Sequence, residues 1–154
     1  MVRRVLAAFG ALLTAAICIA IPTLLFGETR AVAGVVEGPE YAVVPVGATT
    51  TSAAEGQVGV RLEAKGEFKV HMDGAPLKIK LDPPAGVTLK KKQLGRKDAA
   101  DAKAKSPSFL TAARADKAGE YEIPADVDFV LCTAKLCKPV KAQVTLKLTV
   151  NPSR

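Results

Sequence analysis

The chain has 154 residues, with 22 Lys and Arg against 15 Asp and Glu, a formal net charge of +7 and a single histidine. This length suffices for one domain with its own hydrophobic core but not for two large ones. The basic residues are scattered and are not interleaved with aromatic residues, which argues against nucleic-acid binding. One histidine without a neighbouring second ligand also argues against a zinc site or a catalytic triad.

The N-terminus has the layout of a secretory signal peptide. Arg3 and Arg4 precede an apolar run over residues 5–26, and a small-x-small triplet follows at residues 31–33. We therefore predict a cleaved signal peptide over residues 1–33. The apolar run is also long enough to cross a bilayer, so an uncleaved anchor with the domain outside is the alternative. Both interpretations predict export, to the periplasm or out of the cell.

The composition changes after the export segment. Residues 34–56 contain one short apolar stretch, 41–46, followed by small polar residues with little to bury. This composition predicts a linker that contributes an edge strand at 41–46. From residue 57 onward apolar and polar residues alternate with period two, the pattern of strands with one buried and one solvated face. We predict one domain over residues 57–154.

The alternation and the turn residues between its segments predict an all-β domain. A stretch rich in Lys, Asp and Ala over residues 91–106 has no apolar stripe, and it predicts a long exposed loop with a helical turn. About eight strands separated by Gly, Pro and Asp turns predict an immunoglobulin-like antiparallel β-sandwich. The predicted strands cover residues 58–63, 68–73, 77–81, 86–90, 107–113, 119–123, 126–132 and 138–150.

The last two strands allow their register to be predicted. A four-residue loop over residues 133–136 places Cys132 directly opposite Cys137. The alternation then puts both cysteines on the face opposite Phe129, which is the solvent face unless the loop at 91–106 covers them. The pairing that follows matches apolar with apolar residues and acidic with basic or polar ones: Phe129 with Val140, Val127 with Ala142, Asp128 with Lys141, and Asp126 with Gln143.

Cys132 and Cys137 are the two cysteines that remain after removal of the export segment, and an even count in an exported domain predicts a disulfide. Closing a ring of about six residues removes only about 2 kcal/mol of unfolded-state entropy, which is little for a structural cross-link. Lys135 and Lys138 flank the pair, and nearby positive charge favours the thiolate. The pair is therefore either a reagent in thiol–disulfide exchange or an inert bond that locks the hairpin.

The strand–Cys–loop–Cys–x–Pro–strand arrangement over residues 126–150 resembles the N-terminal periplasmic domain of the transmembrane thiol-disulfide interchange protein DsbD. The resemblance extends over residues 57–151. In that family the domain is an immunoglobulin-like sandwich whose two cysteines receive electrons from the membrane domain and pass them to periplasmic thioredoxin-like proteins. The resemblance implies that Cys132 and Cys137 are a redox pair that acts on a thioredoxin-like or membrane-bound partner protein.

Two alternatives stand beside thiol–disulfide exchange. A non-catalytic binding or structural module on the cell envelope would need only an inert Cys132–Cys137 disulfide. A soft-metal site could join the two cysteines to Met72 and hold Cu(I), but Met72 falls in the inward-facing set of its strand, which favours a place in the core. His71 falls on the wet face of the same strand. We expect no metal or other cofactor, and a monomeric protein.

Overall fold

Two β-sheets packed face to face form the part of the chain that the structure describes, residues 34–74 and 76–153 of a computed structural model. The predicted signal peptide lies outside the described residues. In chain order the elements are β1 (Val36–Glu37), β2 (Tyr41–Val46), β3 (Ala48–Thr51), β4 (Glu55–Ala64), β5 (Lys69–Val70), β6 (Lys78–Leu81), β7 (Val87–Leu89), β8 (Gln93–Leu94), a 3-10 helix (Arg96–Asp98), β9 (Ser108–Ala115), β10 (Gly119–Cys132) and β11 (Cys137–Asn151).

The strand order identifies the type of sandwich. One sheet has the order β1-β2-β4-β9-β7, and the other has the order β3-β11-β10-β6-β8, with β5 also paired to β10. Every pair is antiparallel except β3 with β11. A four-stranded sheet β2-β4-β9-β7 facing β11-β10-β6 is the strand arrangement of immunoglobulin domains. The predicted immunoglobulin-like β-sandwich is therefore confirmed.

The segment 34–56, predicted as a linker with an edge strand, forms that strand at Tyr41–Val46 and pairs with both sheets. β2 lies between β1 and β4, with Ala42 and Val43 buried, and β3 continues on to the other sheet beside β11. The small residues of this segment permit close strand approach. A Cβ atom on Gly47 would come within 2.5 Å of the carbonyl oxygen of Lys147. The small side chains here allow close packing between strands. Composition alone does not distinguish such a segment from a flexible linker.

The core lies between the two sheets and is built by the alternation that the sequence shows. From Ile123 in β10 and from Ala142 in β11 every second residue is buried, and except for the buried Thr145 the residues between them are exposed or half-buried. The two strands predicted at 119–123 and 126–132 form the single strand β10. Pro124 does not interrupt it, because Pro124 points outward opposite Thr145 and its carbonyl oxygen accepts a hydrogen bond from the Asp82 N–H (2.9 Å).

A tyrosine ties the start of β10 to the turn that precedes it. The Tyr121 hydroxyl donates a hydrogen bond of 2.9 Å to the carbonyl oxygen of Lys117. This arrangement, with a tyrosine near the start of the strand bonded to backbone a few residues upstream, is the tyrosine corner of immunoglobulin-like sandwiches. Among the described residues no helix is long and apolar enough to span a membrane.

Candidate functional site

Cys132 and Cys137 form a disulfide at the mouth of the β10–β11 hairpin, with their Cα atoms 4.0 Å apart. They lie directly opposite each other, and Phe129 lies opposite Val140. The predicted register is confirmed along the whole hairpin, because loop length and side-chain alternation require the same pairing.

The loop between the cysteines is held by its first residue. The Thr133 hydroxyl oxygen accepts hydrogen bonds from the backbone N–H groups of Lys135 (3.3 Å) and Leu136 (3.1 Å). The Thr133 N–H donates to the Leu136 carbonyl oxygen (2.8 Å), which closes the loop. Ser and Thr hydroxyls commonly form such hydrogen bonds with backbone N–H groups two or three residues further along a turn. These local hydrogen bonds favour the loop geometry that sets the two cysteine backbones opposite each other.

The two cysteines differ in their exposure. Cys137 is exposed and Cys132 is half-buried, whereas Leu131, on the other face of β10, is fully buried. The disulfide therefore lies on the solvent face, as the alternation predicts. Because attack on a disulfide requires access to a sulfur, Cys137 is the easier of the two for a thiolate of another protein to reach.

Cys132 has a cross-strand neighbour on each side. Cys137 lies opposite it on β11, and Lys69 lies opposite it on β5. Residues directly opposite in an antiparallel pair share a face of the sheet, so the exposed side chain of Lys69 is on the same face as the disulfide. The sequence does not predict Lys69 as a neighbour of the disulfide, because the pairing of its strand with β10 joins segments that are distant in the chain.

Lys138, which the sequence suggests as a neighbour that favours the thiolate, points the other way. It lies opposite Leu131, a residue of the inward face. Its ammonium group forms an ion pair with Glu40 and lies 5.6 Å from the centroid of the Phe68 ring. The charge of Lys138 is thus directed to Glu40 and away from the disulfide, because neighbouring residues of a strand face opposite sides.

A groove of about 950 Å³ opens beside the disulfide. Three segments line it together with Glu67: residues 69–73, residues 102–105 and residues 132–134. The second of these belongs to the segment 91–106, predicted as an exposed loop with a helical turn. The turn is present as the 3-10 helix, but the segment also contains β8, which pairs with β6 and buries Leu94. The loop thus lies beside Cys132 without sealing it from solvent.

Polar contacts anchor this loop. The Arg96 guanidinium, in this loop, donates a hydrogen bond of 3.1 Å to the carbonyl oxygen of Met72, in the groove-lining segment 69–73. The Asp98 carboxylate pairs with the Lys91 ammonium and accepts a hydrogen bond from the Gly95 N–H (2.9 Å). The contact with Lys91, followed by that with Gly95, lowers the pKa of Asp98 below its ordinary value. The loop is held to the sandwich at its base.

Met72 and His71 both line the groove, and Met72 also packs against the core. In residues 34–74 and 76–153 no group of three or more His, Cys, Asp and Glu side chains is placed to hold a metal ion. The backbone N–H of His71 donates to the Val130 carbonyl oxygen (2.8 Å), which extends the pairing of β5 with β10 by one residue.

No family model and no curated protein matches the chain. Similar solved structures include AggA, the major subunit of aggregative adherence fimbriae type I of Escherichia coli, with 10% identity over 77% of this chain and 99% of that one and a TM-score of 0.35. PapD-like domain 7 of human CEP192 has 14% identity over 77% and 92%, with a TM-score of 0.34. The CooA pilin subunit of enterotoxigenic Escherichia coli has 14% identity over 74% and 100%, with a TM-score of 0.25. Similarities this distant carry no argument about function.

Proposed function

We propose that this protein is an exported thiol–disulfide exchange module whose Cys132–Cys137 pair passes electrons to or from a partner protein. The observation that supports this most is the position of the disulfide, with Cys137 exposed and Cys132 beside an open groove. Export follows from the signal-peptide layout of the N-terminus. The DsbD-like arrangement of the cysteines supports the same function.

The energetics favour a reagent over a cross-link. The hairpin that the disulfide closes is already paired continuously from Gly119 with Val150 to Cys132 with Cys137. A ring of about six residues adds only about 2 kcal/mol to its stability. A bond intended for stabilisation would close a longer loop, since the entropic effect grows with loop length.

The exchange step starts at the more exposed sulfur. A thiolate of a partner dithiol protein attacks Sγ of Cys137, the Sγ–Sγ bond breaks, and Cys132 leaves as a thiolate that takes a proton from solvent. The second thiol of the partner loses its proton and attacks the partner's own sulfur in the mixed disulfide, which releases Cys137 as a thiolate that is then protonated. The partner becomes a disulfide and loses two electrons, which this protein gains. The reverse sequence reduces a partner disulfide.

Lys69 assists this step through its charge. It lies opposite Cys132 on the same face, so its ammonium group favours the thiolate that forms there. The effect is modest because Lys69 is exposed and water screens its charge.

A non-catalytic binding or structural module of the cell envelope is the second candidate. The observation that favours it is the pairing of Lys138 with Glu40, which removes one of the charges that would activate a thiolate. The two candidates differ in the stability of the disulfide toward reduction. A structural disulfide has a reduction potential below about −300 mV, whereas exchange proteins lie between about −120 and −270 mV.

The reduction potential of the purified domain in thiol–disulfide buffers is the test. We expect a value in the range of exchange proteins, and a value well below about −300 mV would establish the inert bond instead. Mapping the mixed disulfide tests the order of attack. When a small single thiol attacks the oxidised protein and the products are quenched with acid and digested, the mixed disulfide should be found mainly on Cys137. Equal amounts on the two cysteines, or more on Cys132, would contradict attack at Cys137.

A further inference from the structure

The groove beside the disulfide carries a surplus of positive charge. Lys69, Lys103 and Lys105 line it, and all three are exposed. Glu67 and Asp73 are the carboxylates that line it. Across residues 34–74 and 76–153, none of these five side chains takes part in an ion pair. The three ammonium groups are therefore available to the carboxylates of another molecule.

The hairpin tip adds to both the charge and the apolar surface of this region. Among the lining residues lysines outnumber carboxylates by three to two, and Lys135 is exposed in the loop between the cysteines. Leu136, next to Cys137, is 51% exposed, and within the described residues Val35 is the other large hydrophobic side chain that is exposed to this extent. An exposed leucine beside a reactive sulfur is suited to an apolar contact with a partner.

The groove also borders an unpaired strand edge. β5 lines the groove and is bonded to β10 on one side, and no described strand is bonded to its other side. The His71 N–H is bonded to Val130 of β10. Because backbone groups of successive strand residues point to opposite sides, the N–H and C=O of Val70 point to the free edge. An extended peptide can add to such an edge through main-chain hydrogen bonds.

We propose, on the basis of the proposed function, that this groove is the docking site for an extended, acidic segment that carries the reactive cysteine of the partner protein. Carboxylates that flank the partner's cysteine pair with Lys69, Lys103 and Lys105. The main chain of the segment bonds to the edge of β5 at Val70 and continues across the hairpin tip, where its cysteine reaches Cys137 and an apolar residue contacts Leu136. Charge then selects the partner, and the strand edge holds the segment in place beside the disulfide.

Two synthetic peptides of equal length test the charge selection. Each contains a single cysteine, flanked by glutamates in one peptide and by lysines in the other. The rate at which each forms a mixed disulfide with the oxidised protein is divided by its rate with a small neutral disulfide, which corrects for the different thiolate fractions of the peptides. At low salt we expect the acidic peptide to be favoured by about tenfold, and high salt should abolish the preference. Equal corrected rates would overturn the docking proposal.

Two triple variants with the same change in net charge test whether the groove lysines cause the preference for the acidic peptide. The triple variant Lys69→Gln, Lys103→Gln, Lys105→Gln should lose the preference for the acidic peptide. The control triple variant changes three exposed lysines that do not line the groove, and it should retain the preference: Lys80→Gln, Lys117→Gln, Lys147→Gln. A preference that survives in the groove variant, or that falls equally in both, would show that the groove is not the docking site.

The reduction potential separates this proposal from the proposed function. Equal corrected rates together with a potential in the range of exchange proteins would remove the docking site and leave exchange intact. A potential typical of an inert bond would remove the exchange function, and the docking proposal with it, whichever peptide reacts faster.

Discussion

Lys69 lies directly opposite Cys132 on the neighbouring strand, although the two residues are far apart in the sequence. Lys138, by contrast, follows Cys137 directly in the chain but faces Glu40 on the other side of the sheet. The tertiary fold, and not closeness in the sequence, thus decides which of these lysines lies on the same face as the disulfide.

The first prediction compares these two lysines. Lys69→Gln should slow reduction of the disulfide by a small neutral thiol by about two- to fivefold, because an interaction between exposed charges is worth up to about 1 kcal/mol. Lys138→Gln, the matched control, should leave the rate unchanged. Rates followed by stopped flow at low salt measure both. Equal slowing in the two variants would mean that only the net charge of the domain matters.

The disulfide should contribute little to stability. Replacing both Cys132 and Cys137 with serine is expected to lower the free energy of unfolding by about 2 kcal/mol, since the closed ring is short. The variant should keep the far-ultraviolet circular dichroism spectrum of the parent because the hairpin is paired along its whole length. Urea titrations of both proteins give the difference. A domain that unfolds without the bond would identify it as an essential structural cross-link.

The Tyr121 hydroxyl of the tyrosine corner should contribute more to the free energy of unfolding than the hydroxyl of Tyr41. Tyr121→Phe removes the hydrogen bond to Lys117 and should lower the free energy of unfolding by about 1 kcal/mol. Tyr41→Phe is the control, because its hydroxyl makes no hydrogen bond within the described residues while its ring packs edge-on against Phe129 at 5.6 Å. Urea denaturation should therefore show a loss in the first variant and almost none in the second. Similar losses would assign the effect to the rings.

The anchored carboxylate of Asp98 predicts a dependence of stability on pH. Its pKa is lower in the folded protein than the ordinary value of about 3.9, because Lys91 and the Gly95 N–H stabilise the charged form. Its contribution is therefore complete above about pH 4 and is lost as the pH falls through the lowered folded value. Asp98→Asn should be less stable than the parent at neutral pH, and this difference should shrink below pH 4. A constant difference across that range would contradict the coupling.

The turn between β3 and β4 contains a strained residue. Ala53 has a positive φ of 64°, a conformation that glycine adopts without steric cost. Ala53→Gly should raise the free energy of unfolding by about 0.5–1 kcal/mol. Ala54→Gly, beside it, should lower the stability, because there the substitution only adds flexibility to the unfolded chain. Paired urea titrations measure both, and a loss of stability in Ala53→Gly would show that this turn tolerates alanine.

Predictions from the sequence were most successful where one short loop controls the geometry. The pairing of Cys132 with Cys137 and of Phe129 with Val140 follows from a four-residue loop and from side-chain alternation. In residues 34–56 the strand at 41–46 follows from the sequence, but the pairing of β3 with β11 does not. Small residues there suggest a flexible linker, but the same smallness lets β3 approach β11. The size of the side chains in a segment can be read from its composition. Which strand packs beside the segment cannot, because that contact joins residues distant in the chain.

The amino-acid sequence by itself determined the longer strands, the sandwich class and the register of the β10–β11 hairpin, because these depend on alternation with period two and on a loop whose hydrogen bonds are local. It did not predict the short strands β1, β3 and β8, and the strand predicted at 68–73 is reduced to Lys69–Val70. Only the tertiary structure decided what surrounds the disulfide. The pairing of β5 with β10 brings Lys69 to Cys132, and the folding of the long loop brings residues 102–105 to the same groove. Both contacts join segments that are distant in the chain. A local residue pattern predicts a strand or a loop, but it does not predict which edge of a sheet that element will lie against.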